Sequence, residues 1–234
     1  MKKLLTVAAV LMAAAMFFTG CKNAANSDDG GEDLPGTWVS TVDYYEANTG
    51  NPWSNNKNKV SFSCSNATSL GIEEGYSSTY SCAVSPTQLY GVRAKVKQNA
   101  FTKAEPGLIL FLTTTGQGSN TKFDTYYSLT FYKGSYTLYE KESGKESVCL
   151  STSTENGETY ENTWHDAIKQ EGNSNEVLFY TDGNKLVLKI NGTKIATIDK
   201  KLDSGKTSAC MFVPGGISGA INANWEFLEF QTGK

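Results

Sequence analysis

The chain carries several groups of side chains that could do chemistry: one imidazole, a few close carboxylates, a tryptophan in a polar loop, pairs of adjacent tyrosines, and five cysteines. A Ser-His-Asp triad would have to use His165, because the sequence has no other histidine. His165 sits in Trp164-His165-Asp166, a polar segment, and no Gly-x-Ser-x-Gly elbow accompanies it, so it reads as a surface or edge residue. Glycoside hydrolysis needs two carboxylates, about 5–5.5 Å apart for retention or about 6.5–9.5 Å for inversion. Glu140 and Glu142 alternate on one strand and Glu73-Glu74 are neighbours, but both sets read as solvated surface. No catalytic carboxylate motif or triad is found, and the chain is not expected to be an enzyme. Binding fits the residues better. Sugar rings stack on aromatic faces through their apolar C–H edges while amides and carboxylates fix the hydroxyls. Trp53, in the Asn-rich stretch Asn51-Pro52-Trp53-Ser54-Asn55-Asn56, is the first candidate. One of Tyr44 and Tyr45, and one of Tyr126 and Tyr127, must face outward if their strands continue, which adds further candidates. Trp38 and Trp225 lie in alternating runs and are expected in the core.

Of the five cysteines, Cys21 stands apart near the N-terminus, leaving Cys64, Cys82, Cys149 and Cys210. Cys64 and Cys82 both fall on the apolar phase of alternating runs, so a Cys64–Cys82 disulfide between neighbouring strands is expected. Cys149–Cys210 follows by elimination, with buried free thiols as the alternative. Zinc is disfavoured by the lack of any Cys-x-x-Cys spacing.

The elements that must hold these residues are strands. The 234 residues are 39% hydrophobic and 12% aromatic, which excludes a disordered chain. Lys+Arg (21) are fewer than Asp+Glu (24) with no basic block, which argues against nucleic-acid binding. From residue 34 onward, alternating or β-branched and aromatic runs recur between Gly, Asn, Ser and Asp. Thirteen are marked: 37–44, 59–64, 78–84, 89–97, 107–114, 126–132, 136–140, 147–152, 176–181, 185–190, 194–198, 209–213 and 225–230. The short stretch 160–169 is the only place for a helix. So many strands predict a two-sheet sandwich or a barrel. The polar segments 48–58 and 115–125 are expected as long loops, and 214–220 as a flexible connection.

Two resemblances sharpen this. Lys2 and Lys3 precede an apolar run of 15 residues, 4–18, too short for the roughly 20 of a spanning helix. The following Phe17-Phe18-Thr19-Gly20-Cys21 resembles the lipobox of bacterial lipoproteins. That resemblance implies cleavage before Cys21, diacylation of its sulfur and acylation of its new amine, a multi-chain anchor of the kind that holds stably. Residues 1–20 are then a signal peptide. Their removal leaves 19 basic against 24 acidic residues, a net charge of −5. Residues 21–34 read as a flexible acidic tether and 35–234 as the folded domain. Lys22, rather than Asp, after the lipidated cysteine is compatible with the outer membrane or cell surface.

Glu176-Val177-Leu178-Phe179-Tyr180-Thr181-Asp182-Gly183-Asn184 and Lys185-Leu186-Val187-Leu188-Lys189-Ile190-Asn191-Gly192 resemble the hairpins of concanavalin A-like and laminin-G-like jelly rolls. Residues 90–97, 127–140 and 225–230 resemble further strands of that family. The expected fold is an all-β antiparallel two-sheet jelly-roll sandwich. Gly36-Thr37-Trp38 resembles the Gly-x-Trp of lipocalins, which makes a lipocalin-like β-barrel the alternative. The Glu-x-Asp-x-x-Glu of laminarinase-like members does not occur here. The superfamily admits calcium, for which Asp182 with Asn184, or Asp124, are the candidates, although turn formation already accounts for Asp182-Gly183-Asn184. No cofactor is expected. The function expected is an exported, membrane-anchored lipoprotein carrying a non-catalytic carbohydrate-binding module, with polysaccharide or glycan as partner. The rivals are a glycosidase on the same fold and a structural or protein-binding adhesin.

Overall fold

A computed structural model describes residues 37–39, 44–46, 53–56, 59–64, 78–98, 107–116, 122–202, 206–213 and 221–232, all within one compact unit, Pro35–Lys234. The signal, lipobox and tether lie outside the described residues. The first strands are β1 (Thr37–Val39), β2 (Tyr44–Glu46), β3 (Trp53–Asn56), β4 (Lys59–Cys64) and β5 (Ser78–Gln98). Next come β6 (Gly107–Thr115), β7 (Lys122–Tyr132), β8 (Ser135–Lys141), β9 (Val148–Cys149), β10 (Ser153–Glu155), β11 (Glu158–Tyr160) and β12 (Thr163–Trp164). The last are β13 (Ser174–Asp182), β14 (Lys185–Ile190), β15 (Thr193–Asp199), β16 (Lys206–Val213) and β17 (Ile221–Thr232). No helix occurs among the described residues.

Every pairing is antiparallel. One layer runs β3-β4-β17-β5-β13-β14-β15, with β1 on the far half of β17. The other runs β2-β5-β16-β6-β7-β8, with β9 and β12 sharing the outer edge of β8. The long β5 belongs to both: residues up to Gln88 pair with β16, and from Leu89 onward with β17 and β13. The two layers end in edge strands and form a sandwich, so the barrel alternative is set aside.

Alternation explains the core. Tyr127, Leu129 and Phe131 on β7, Tyr136 and Leu138 on β8, and Leu186, Leu188 and Ile190 on β14 point between the layers and are buried. Phe111 (φ 56°) sits at a bulge in β6 that turns Leu110 and Phe111 both inward while Ile109 and Leu112 face the opposite side. Phe111, Tyr127 and Phe179 then stack edge-to-face across the sandwich, at 6.1 and 6.5 Å between ring centres. Asn191-Gly192, with φ of 49° and 82°, makes the tight hairpin its sequence predicted.

Several expectations are corrected. Runs 78–84 and 89–97 are one strand, and 147–152 shrinks to Val148–Cys149. Trp53 heads strand β3 in place of a loop, taking the register position opposite the fully buried Phe62. Cys149 and Cys210 are free thiols, so that disulfide does not form. Cys64 pairs across to Ile221 and Cys82 to Ala209 and Tyr44, so β4 and β5 are not the neighbouring strands expected for a Cys64–Cys82 bridge.

Candidate functional site

The layer of β7 and β8 carries a second apolar cluster on its side away from the core. Ile109, Leu112, Cys210 and Phe212 form it, with Phe123 and Tyr126 packed against them. Burial pushes the Cys210 thiol well above its usual range, which makes it an inert packing group. Tyr126 is therefore half-covered: its ring meets Phe123 edge-on at 6.1 Å and its hydroxyl shares a 3.3 Å hydrogen bond with Ser147. Tyr127, its neighbour, is fully buried in the main core and is no ligand platform. Tyr44 and Tyr45 pair with Cys82 and Ser81, and their side chains, like that of Trp53, lie outside the described residues.

Glu140 is not solvated. Alternation turns it inward, where it is 2% exposed. Its Oε2 accepts the Tyr127 hydroxyl at 2.9 Å and its Oε1 accepts Lys201 Nζ at 2.7 Å. The Tyr127 oxygen in turn accepts the backbone N–H of Lys201 at 2.9 Å and of Leu202 at 3.4 Å. This network straps the segment after β15 onto β7 and β8. Glu142, by contrast, pairs with Lys145 at the surface, which lowers its carboxyl below the usual range. On the opposite side of β7 and β8, Tyr126, Ser128, Thr130, Thr137, Tyr139 and Lys141 are themselves without a carboxylate, but Glu161 brings one there by accepting the Tyr139 hydroxyl, and Asp124 lies on β7. Asp124 accepts a hydrogen bond from Ser143 at 2.8 Å, and Asp182-Gly183-Asn184 forms the turn into β14. Among the described residues, no group of three or more His, Cys, Asp or Glu is placed to hold a metal ion.

Among the described residues, the feature most suited to contact a ligand lies at the edge of β8 and was not singled out from the sequence. Trp164, on β12 opposite Ser135, is 56% exposed. Its ring is nevertheless fixed at both ends. The indole N–H donates to Asp166 Oδ1 at 3.1 Å, and the six-membered ring lies on Gly134, where a Cβ would come within 2.4 Å of it. Gly134 (φ 91°) closes the β7–β8 turn, so its missing side chain supplies both the turn and the seat for the ring. Gln170 Nε2 lies by the same glycine, 2.8 Å from that Cβ position.

The segment that carries Gln170 is held by buried groups. Ile168 inserts into the core. The Asn175 side chain, 6% exposed, accepts from Lys169 N at 2.8 Å and donates to Lys169 O at 3.1 Å. Asn191 Nδ2 donates to Ala167 O at 2.7 Å and to Asn175 Oδ1 at 2.8 Å. His165 Nδ1 accepts the Ala167 N–H at 3.1 Å, which ties the imidazole into a turn. At Gly134 a pocket opens, lined by buried Val96, Phe131 and Ile168 and by Lys133, Lys169, Gln170, Glu171 and Asn173. The signal that could have found Trp164 was present: an aromatic in the polar run 161–166, the argument applied to Trp53.

No protein-family model and no curated protein sequence matches the chain. Among solved structures it is similar to the β-glucanase of Bacillus licheniformis, at 11% identity, covering 86% of this chain and 94% of that one with a TM-score of 0.50. It is also similar to the κ-carrageenase of Pseudoalteromonas carrageenovora in complex with an oligotetrasaccharide of κ-carrageenan (9% identity, 89% and 99% covered, TM-score 0.49). Carbohydrate-binding module CBM66 from Bacillus subtilis is a third (9% identity, 84% and 97% covered, TM-score 0.45). At such identities the likeness establishes architecture alone. The chain folds as an antiparallel jelly-roll sandwich.

Proposed function

We propose that this chain is an envelope lipoprotein, anchored through Cys21, whose jelly-roll domain holds a glycan without cleaving it. The observation that carries the binding half is Trp164: a large aromatic face left open to solvent but immobilised by Asp166 and Gly134, so that little side-chain entropy is lost when a sugar stacks on it. The non-catalytic half is supported by the carboxylates. Glu140 is engaged inside the sandwich by Tyr127 and Lys201, and the other carboxylates of this layer, Asp124 and Glu161, are each taken up by a hydroxyl, of Ser143 and of Tyr139. Proteins named for glycan cleavage and glycan binding share the architecture, an analogy that favours a sugar ligand and does not choose between the two activities.

A glycan array probed with the mature, detergent-solubilised chain is expected to show retention of at least one glycan, with no new reducing ends after prolonged incubation. Release of reducing ends would replace binding with hydrolysis as the function. For the anchor, Cys21→Ser is expected to move the protein from the detergent phase to the aqueous phase and to remove acyl mass from its N-terminus. Unchanged partitioning would overturn the anchoring.

A further inference from the structure

We propose that the glycan on the Trp164 platform is an uncharged one, its ring stacked on the indole and its hydroxyls met by Gln170 beside it; this rests on the glycan reading above and assigns the site and the ligand class. Trp164 ring atoms and Gln170 Nε2 all lie within 2.8 Å of one point, the position a Cβ on Gly134 would take, so the amide stands next to the indole and within reach of a pyranose lying on it. An amide offers both a donor and an acceptor, the complement of a sugar hydroxyl. The charges around the site balance, Lys133 and Lys169 standing against Glu171 and, by the indole, Asp166, so a charged sugar gains no net attraction here. Lys133 lies 3.6 Å from Glu171 and 5.1 Å from the centre of the Tyr132 ring, so its charge is already answered. Asp166 is oriented by the indole N–H. The long-range field agrees. Arg93, Lys145, Lys185 and Lys201 are each paired with a carboxylate, and the chain without residues 1–20 carries a net charge of −5, which disfavours approach of a polyanion. The segment bearing Gln170 is held in place by Ile168, Asn175 and Asn191, so the site is formed before the ligand arrives.

The test uses the mature, detergent-solubilised chain on an array of neutral gluco-, galacto- and manno-oligosaccharides together with sulfated and uronate-containing ones. Affinity electrophoresis in barley β-glucan, galactomannan and κ-carrageenan follows. Retention is expected among neutral glycans only and is expected to be unchanged between low and high salt, since no ion pair forms. Trp164→Ala is expected to weaken binding roughly tenfold to a hundredfold, as loss of a central aromatic contact does, and Trp164→Phe to restore part of it. Gln170→Ala, at an exposed side chain, is expected to weaken binding severalfold with an unchanged melting temperature, and it remains readable if Trp164→Ala loses its fold. Salt-sensitive retention of anionic glycans alone would overturn the ligand class while leaving the glycan reading intact. Neutral binding unaffected by both Trp164→Ala and Gln170→Ala would overturn the site. Retention of no glycan at all would remove the glycan reading itself.

Discussion

Gly91→Ala is expected to destabilise the domain by about 1–3 kcal/mol, visible as a melting temperature lower by roughly 2–12 °C. A Cβ at Gly91 would lie 2.6 Å from Tyr180 Cβ, 2.9 Å from Tyr180 Cα and 2.9 Å from the Phe179 carbonyl oxygen. None of these atoms can swing away, because each is backbone or fixed directly to it. Gly91 lies inside its layer, opposite Tyr180 on β13 and Gln231 on β17, so neither strand can move outward alone. Relief would require separating β5 from β13, whose ladder runs from Ser174 to Tyr180. The entropic benefit of Gly→Ala in the unfolded chain, about 0.4–1 kcal/mol, is smaller than the cost of overpacking, about 1–3 kcal/mol or more. Thermal and urea melts followed by circular dichroism decide it; a melting temperature within two degrees of wild type would show that the strands yield more easily than backbone-to-backbone contact allows.

The legible parts of this fold were those whose physics is local. Residues 185–190, with Leu186, Leu188 and Ile190 on one phase, lie between Asp182-Gly183-Asn184 and Asn191-Gly192, and the strand has those same bounds. The runs 78–84 and 89–97 are one strand across Pro86, which cannot donate to a ladder. In the structure it falls where β5 passes from one layer to the other, and the β16 register breaks nearby. Trp53 illustrates the limit of composition: an edge strand need not alternate, and Asn-rich β3 pairs with β4 all the same. Glu140 was in phase with Tyr136 and Leu138, yet the neighbouring Lys141 and turn suggested solvent. Its burial depends on Lys201, 61 residues away, and on a tyrosine of the adjacent strand. Trp164 was visible as an aromatic among polar residues, but what makes it a platform is Gly134, thirty residues earlier, and that contact leaves no mark in the local sequence.

Tyr127→Phe is expected to cost about 1–3 kcal/mol at neutral pH, and its penalty is expected to shrink as the solution is made alkaline. One oxygen is removed, but three groups lose a partner: the backbone N–H of Lys201, that of Leu202, and Glu140 Oε2, which accepts the phenolic proton. Tyr127 and Glu140 are at most 2% exposed, so water does not readily replace the lost bonds. The pH dependence comes from the phenol itself. Burial pushes the Tyr127 pKa from 10.0 up to about 12, and the carboxylate of Glu140 adds to the rise while the two backbone donors oppose it. The native state thus holds the proton more tightly than the unfolded chain. The stability this contributes is fully present below pH 10 and is lost as pH rises from 10 to about 12, where the unfolded phenol has ionised first. With water screening the half-exposed Lys201 side of the network, that loss is about 1–2 kcal/mol. Lys201, whose own pKa is raised chiefly by its hydrogen bond to Glu140, loses its contribution in the same direction as it deprotonates, and it does so in the variant as well. The difference between wild type and Tyr127→Phe therefore isolates the phenol. Urea unfolding at pH 8, 10 and 11.5 is expected to show the gap between the two proteins narrowing across the last interval. A gap that stays constant to pH 11.5 would mean that the Tyr127 hydroxyl is not the buried, carboxylate-bound proton donor that holds the β15–β16 connection onto the sandwich.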